Sequence, residues 1–459
     1  MHHDPHRTRF HFQPPKNWMN DPNGLIQWKG EYHLFYQHNP DGLAWTNMHW
    51  GHAVSRDLYR WEHLPIAVAP SPEGCDALGI FSGCAVDDAG TPTLMYTGVA
   101  PEVQCIATGD ANMRHFEKFE GNPVIARPPE GLEVTGFRDP CAWREEDGWR
   151  CVIGSGIVGE GGTAFLYRSP DLRSWEYLHP FVMSKGVETG TMWECPDFFA
   201  LGDKHVLLVS ALDTVFYFTG TYTQGRLAVE HTGRLDHGPA YYAAQTFEDE
   251  RGRRIAFAWL RESRSDAAQE AAGWSGVQSA PRVLSLGPGG QVLAEPAPEI
   301  EVLRQKGAQW CDILLEPGVD LEMDDVAGRQ FELRAKIETA EKGRVGFVVS
   351  ASPDGAEQTC VYYDSEANAL CIDTRGSSLS KEVETGLYHA PLKTQPRETI
   401  ELRVLGDGSV VEAFVDNRAW VTARIYPTRE DSVRVRAYAQ EAEGRFKQID
   451  AWPLALPGA

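Results

Sequence analysis

Five short segments in the first 260 residues alternate apolar and polar side chains as half-buried strands do: Glu31–Gln37, Thr91–Thr97, Trp149–Ser155, Lys204–Ser210 and Arg254–Leu260. Their centres fall near 34, 94, 152, 207 and 257, so they recur at intervals of about 60, 58, 55 and 50 residues. A longer marker keeps the same beat. Ser55-Arg-Asp-Leu-Tyr-Arg-Trp61 returns as Ser169-Pro-Asp-Leu-Arg-Ser-Trp175, 114 residues or two periods later. A recurrence of this length, built from short strands and Gly/Pro turns, predicts a β-propeller, and five recurrences predict five blades. Helical periodicity is missing over residues 1–290, which argues against a barrel of alternating strands and helices. Eleven of the 14 tryptophans precede residue 275, and most are expected to fill the spaces between blades, leaving a minority for a ligand.

The pattern changes near residue 296. Glu295-Pro-Ala-Pro-Glu-Ile-Glu-Val-Leu-Arg304 reads as a turn followed by a short helix. Beyond it, regularly spaced strands such as Val345–Val349, Val411–Val415 and Val433–Tyr438, with turns such as Gly406-Asp-Gly408, predict a β-sandwich. The expected organisation is all-β: a five-bladed β-propeller over 1–296, a linker with a short helix over 297–310, and a C-terminal β-sandwich over 311–459.

Composition narrows the partners. Forty-three basic against 65 acidic residues give a formal charge of −22, a surface that repels nucleic acid and anionic membranes. No run of 18 apolar residues exists to span a bilayer. The nine cysteines show no C-x-x-C pair or metal-ligand spacing, so free thiols are expected, with neither metal nor other cofactor. With no apolar stretch after Met1, a cytoplasmic location is the expectation. The number of subunits is left open.

Three acidic motifs share one phase of the repeat. Asp21 lies in Asn17-Trp-Met-Asn-Asp-Pro-Asn-Gly24, Asp139 in Phe137-Arg-Asp-Pro140, and Glu194 in Trp193-Glu-Cys-Pro-Asp197. They are 118 and 55 residues apart, about two periods and one. Radial inner strands of successive blades therefore bring all three to the mouth of one central funnel. Paired carboxylates across a bound sugar are what glycosidic cleavage requires. Asp21, between the amides of Asn20 and Asn23, is expected to be ionised; Asp139 likewise, beside Arg138. Glu194, flanked by Trp193, Cys195 and Pro196, is expected to hold a raised pKa suited to a proton donor. Taken singly, each motif also fits a plain turn, ion pair or rim residue; their common phase is what favours chemistry.

The motifs Trp18-Met-Asn-Asp-Pro-Asn-Gly24, Arg138-Asp-Pro140 and Glu194-Cys-Pro196 resemble those of glycoside hydrolase family 32, the β-fructofuranosidases. Trp50-Gly-His-Ala53, Phe81-Ser-Gly83, Tyr242-Ala-Ala-Gln-Thr-Phe247, Trp274-Ser-Gly276 and Val411-Glu-Ala-Phe-Val415 extend the resemblance over nearly the whole chain. It implies Asp21 as nucleophile, Glu194 as general acid and then base, and Asp139 as stabiliser of the transition state, in a double displacement with retention. It also implies a fructose pocket formed by Trp18, Asn20, Gln37, Trp45, Phe81, Ser82, Arg138, Tyr242 and Trp274. Fructose release from sucrose is the leading expectation; fructans and sucrose 6-phosphate are alternatives, and a carbohydrate-binding propeller without turnover is the alternative of another class. Cys84 and His38 depart from the common family residues, which bears on substrate choice.

Overall fold

The computed structural model describes residues 4–99, 101–186 and 188–456. Five antiparallel sheets follow one another along the first two thirds of the chain. Sheet I runs Asn17–Trp28, Glu31–Asn39, His49–Ser55 and Trp61–Val68. Sheet II begins at Ile80–Asp88, sheet III at Val134–Glu145, sheet IV at Glu194–Leu201 and sheet V at Tyr241–Glu248. Those five opening strands contact one another in a ring, I to II through to V and back to I. The arrangement is propeller-like. Sheet V is tied to sheet I by the segment Trp274–Gln278: Asn17 and Trp18 pair in parallel with Trp274 and Ser275, while Trp259 and Leu260 pair with Gln278 and Val277.

Each of the five periodic segments seen in the sequence is the second strand of its sheet. These strands are more buried than their alternation implies. Tyr32 to Asn39 and Pro92 to Gly98 are buried throughout, because each sheet is covered by a neighbour on both faces. The recurring Ser-x-Asp-Leu marker is a turn between third and fourth strands. In sheet I the Asp57 carboxylate accepts the backbone N–H of Tyr59 and Arg60, and Trp61 Nε1 donates to the Leu58 carbonyl. In sheet III Asp171 and Trp175 repeat that pattern around Leu172. Leu58 and Leu172 both take positive φ, at 70° and 62°. A short acidic side chain that caps two amides stabilises a turn of this kind.

A 3₁₀ helix, Pro298–Leu303, leads into the C-terminal domain. The first strand there, Ala308–Leu315, already begins inside the stretch read from sequence as linker. Two six-stranded antiparallel sheets stack around Phe331, Leu333, Phe347, Val361, Val421 and Phe446, so this domain is a sandwich. One of its sheets abuts sheet V. Leu405, Val410, Phe414 and Trp420 join the core of the propeller-like domain. Between them, the fully buried Arg282 guanidinium bridges Asp236 (2.9 Å) and Glu412 (3.0 Å). His11 is held between Asp407 (3.0 Å) and Glu412 (3.3 Å).

Candidate active site

All five inner strands are irregular at the same end. Their pairing slips between Met19 and Pro22, Phe81 and Gly83, and Tyr242 and Gln245 in sheets I, II and V. In sheets III and IV it slips opposite Val152/Gly154 and between Glu194 and Asp197. Asp139, Cys195 and Ala243 sit in these bulges with φ of 64°, 46° and 53°. A bulge of this kind re-aims the side chains on either side of it. Pro22, Pro140 and Pro196 follow the irregular residue, where a ladder N–H is dispensable. Gly24 takes φ of 54°, and a Cβ there would lie 2.8 Å from the Phe35 ring, so the turn after Asp21 needs glycine.

The bulges bring the three acids together. Ser82 Oγ donates to Asp21 Oδ2 at 2.6 Å, and Asn20 Nδ2 donates to Oδ1 at 3.1 Å. The Cys195 thiol lies 3.4 Å from Asp21 Oδ2, and its backbone N–H donates to Asp139 Oδ2 at 2.8 Å. Glu194, the next residue back, is gripped on both oxygens: Arg138 reaches Oε1 at 2.7 Å and the Tyr242 hydroxyl donates to Oε2 at 2.6 Å.

For Asp139 and Asp21 the pKa shifts run opposite to the direction expected from sequence. Burial lifts Asp139 from 3.8 to about 7, against the Arg138 charge, which favours the carboxylate. The guanidinium directs its N–H groups to Glu102 (3.0 Å) and Glu194, not to Asp139. Burial likewise raises Asp21; Ser82, Asn20 and Cys195 oppose that shift, and the negative charge of Glu194 adds to it. The surroundings of Glu194 are polar, not apolar, because Trp193 turns away into the core and donates to the Thr189 carbonyl.

Most of the expected sugar-binding residues surround these acids. Trp18 Nε1 donates to Asn20 Oδ1 at 2.7 Å, fixing the amide that holds Asp21. The Trp45 ring, 51% exposed, packs 5.2 Å from Phe81 and offers a flat apolar wall. Gln37 is buried behind them, its Nε2 engaged by the Ile80 carbonyl at 2.9 Å. Trp274 does not belong to the pocket. It is fully buried, donates from Nε1 to Asp4 at 2.7 Å, and carries Arg264 on its ring at 4.5 Å. Cys84 also points elsewhere: it accepts from the Ala142 N–H (3.3 Å) and lines a separate cavity that none of the three acids lines. His38 Nδ1 meets the Trp18 carbonyl at 2.7 Å.

Three residues that no motif marks support the site. Glu102 accepts from Arg138 and from the Phe137 N–H (2.5 Å). Thr97 Oγ1 accepts the Asp139 N–H (2.9 Å) and donates to Gln104, whose amide then donates to the Phe137 carbonyl. No sequence signal marks them, since each acts through a partner one sheet away.

Three acids on bulged inner strands, walled by tryptophan and phenylalanine, define a glycoside hydrolase site. The family model described as Glycosyl hydrolases family 32 N-terminal domain matches residues 11–296, and the family 32 C-terminal model matches 299–453. The chain belongs to glycoside hydrolase family 32 and is an enzyme of the β-fructofuranosidase class. It is 36% identical to a cell-wall β-fructofuranosidase of Pisum sativum, over 93% of this chain and 90% of that one. It is equally 36% identical to a sucrose-6-phosphate hydrolase of Escherichia coli, over 97% and 94%. Among solved structures, fructan 1-exohydrolase IIa of Cichorium intybus in complex with 1-kestose superposes with a TM-score of 0.92 at 31% identity, covering 98% of each chain.

Proposed function

We propose that this protein hydrolyses sucrose to fructose and glucose with retention at the fructosyl carbon, in a pocket at the mouth of a closed five-bladed propeller. The reading rests on one observation: Cys195 contacts both Asp21 and Asp139, while the preceding residue, Glu194, is held by Tyr242 and by Arg138, the neighbour of Asp139 in the chain.

In the first step Asp21 attacks the anomeric carbon of the fructosyl unit, and the bond to the glucosyl oxygen breaks. Glu194 gives its proton to that oxygen. Arg138 and Tyr242 stabilise the carboxylate left behind. Asp139, in its ionised form, opposes the positive charge that grows on the ring. In the second step Glu194 takes a proton from water as the water attacks the same carbon, and the ester to Asp21 breaks. Trp45 and Phe81 supply the apolar face for ring C–H groups.

Sucrose is favoured over its phosphate ester by the formal charge of −22, which disfavours approach of anions. The likeness to the Escherichia coli sucrose-6-phosphate hydrolase favours the ester as the second reading. Nine cysteines standing as free thiols support action in a reducing cytoplasm. Turnover of sucrose, sucrose 6-phosphate, 1-kestose and inulin, compared as kcat/KM, tests the proposal. The highest value is expected for sucrose, with none above background in Asp21→Asn. A tenfold preference for the phosphate ester or a fructan overturns the substrate; equal turnover by Asp21→Asn overturns the mechanism.

A further inference from the structure

Cys75 and Cys105 stand 30 residues apart in the chain, yet their sulfurs lie 3.4 Å from each other. Cys105 is fully buried on Val103–Gly109, the third strand of sheet II, where it pairs with Tyr96 in the ladder. Cys75 is half-buried in the connection 69–79 that leads into the first strand of the same sheet. That connection is pinned at the next residue. The buried Asp76 carboxylate accepts the Tyr96 hydroxyl (3.0 Å), the Lys118 ammonium (2.5 Å) and the Ser71 N–H (2.9 Å). Gly98 packs against the same turn: a Cβ there would lie 2.9 Å from Asp76 Cβ and 3.1 Å from the Cys75 carbonyl oxygen. The fold itself therefore holds the two thiols side by side.

Both segments run to the active site. Beyond Cys75 the connection enters Ile80, whose carbonyl holds Gln37, then Phe81 against Trp45, and Ser82, which donates to Asp21. Just before Cys105 stand Gln104, which donates to the Phe137 carbonyl, and Glu102, which holds Arg138. Burial, with Cys75 beside it, pushes the Cys105 thiol up, so the more accessible Cys75 is the thiol that meets an oxidant first. Bonding needs the sulfurs about 1.4 Å closer, and Cys105 is locked in its ladder, so the connection is the part that moves. We infer that Cys75 and Cys105 are a reversible redox pair, which exchanges with a small-molecule disulfide to form an internal bond that slows turnover by drawing the connection, and Ser82 beyond it, out of place. In the first step the Cys75 thiolate attacks one sulfur of the oxidant, whose S–S bond breaks, and one small thiol leaves with the proton Cys75 gave up. In the second, the Cys105 sulfur attacks that of Cys75, the mixed disulfide breaks, and the other small thiol leaves with the Cys105 proton. Two protein thiols are oxidised and one small disulfide is reduced to two thiols. The inference does not depend on which fructoside the enzyme cleaves.

The full-length protein, incubated with oxidised glutathione and then alkylated, tests this by peptide mapping and by fructoside turnover on the same samples. A bond joining residues 75 and 105 is expected, with kcat at least threefold lower than in the reduced protein and restored by dithiothreitol. Cys75→Ser, which keeps the size of the side chain, is expected to match the reduced parent within twofold and to ignore the oxidant. Should that variant fail to fold, Cys105→Ala takes its place with the same expectation. Mapping reads the bond without reference to catalysis, so its result stands apart from the choice of substrate. A mixed disulfide at Cys75 that goes no further, or no modification of the pair, overturns the inference. So does a 75–105 bond that leaves kcat unchanged, or an equal loss of turnover in Cys75→Ser, which would place the sensitive thiol elsewhere.

Discussion

The backbone N–H of Cys195 donates to Asp139 Oδ2 at 2.8 Å, so the residue after the proposed acid directly holds the proposed stabiliser. Its thiol reaches the nucleophile as well, 3.4 Å from Asp21 Oδ2. Cys195, read from sequence only as an apolar flank of Glu194, thereby contacts two of the three carboxyls and follows the third in the chain. The backbone contact survives any side-chain change, and the thiol contact does not. Cys195→Ala is expected to lower kcat about tenfold, equivalent to about 1.4 kcal/mol of transition-state stabilisation. The acidic limb of kcat/KM should move to higher pH, because Asp21 loses one of the donors that oppose its raised pKa. Cys195→Ser, which restores a donor, should recover most of the loss.

Tyr242 donates to the Glu194 oxygen that Arg138 leaves free. Tyr242→Phe keeps the ring and removes only the hydroxyl. Loss of one preorganised donor at a site of changing charge reduces kcat by about 10²-fold. The effect should fall on kcat with KM altered less than threefold. An unchanged kcat would remove Tyr242 from the site.

Asp139 carries a cost that its function explains. Its folded pKa of about 7 exceeds the ordinary 3.8, so the native state holds a proton that the unfolded chain has released over that window. Stability therefore declines as pH rises from about 4 to 7 and levels off above it. Asp139→Asn removes this burden while leaving an oxygen to accept the Cys195 N–H. The variant should be inactive by at least 10²-fold. It should also melt higher than the parent at pH 7, with the difference vanishing at pH 4, as followed by thermal denaturation.

What was legible in the sequence follows from what is local to the chain. The common phase of Asp21, Asp139 and Glu194 survives because each inner strand occurs once per repeat, so chain distance maps onto position around the axis. Glu102 and the Thr97–Gln104 pair escaped notice because they act across sheets, on backbone groups that no residue type announces. Trp274 was misplaced for a related reason. Its motif marks the strand that ties sheet V to sheet I, and an aromatic residue there can face either the sugar or the core. The ionisation of Asp139 was misjudged because adjacency to Arg138 in sequence said nothing of where the guanidinium points.

Trp274 gives that point a test. Its indole N–H binds Asp4, and its ring lies under Arg264 and Arg7. Trp274→Phe loses the hydrogen bond and leaves part of the space unfilled, costing about 1–3 kcal/mol. The melting temperature should fall while KM for the fructoside stays within twofold. A large rise in KM without loss of stability would return Trp274 to the pocket.

His11 makes the contact between the two domains sensitive to alkali. Burial alone would depress its pKa, but hydrogen bonds and charge from Asp407 and Glu412 prevail and raise it from 6.5 to about 8. A histidine whose folded pKa exceeds its unfolded one contributes stability that is complete below pH 6.5 and lost as pH rises through 8. Glu412 stays ionised across that window, since Arg282 and His11, working against its burial, hold it at about 2. The difference for His11 corresponds to about 2 kcal/mol, at about 1.4 kcal/mol per pKa unit. Thermal unfolding should therefore show a falling melting temperature between pH 6.5 and 8.5. His11→Gln, which keeps a donor to the acids but cannot titrate, should start less stable at pH 6.5 and show a flatter profile over the same range. If the parent and His11→Gln decline in parallel, His11 is not the group that loosens the interface.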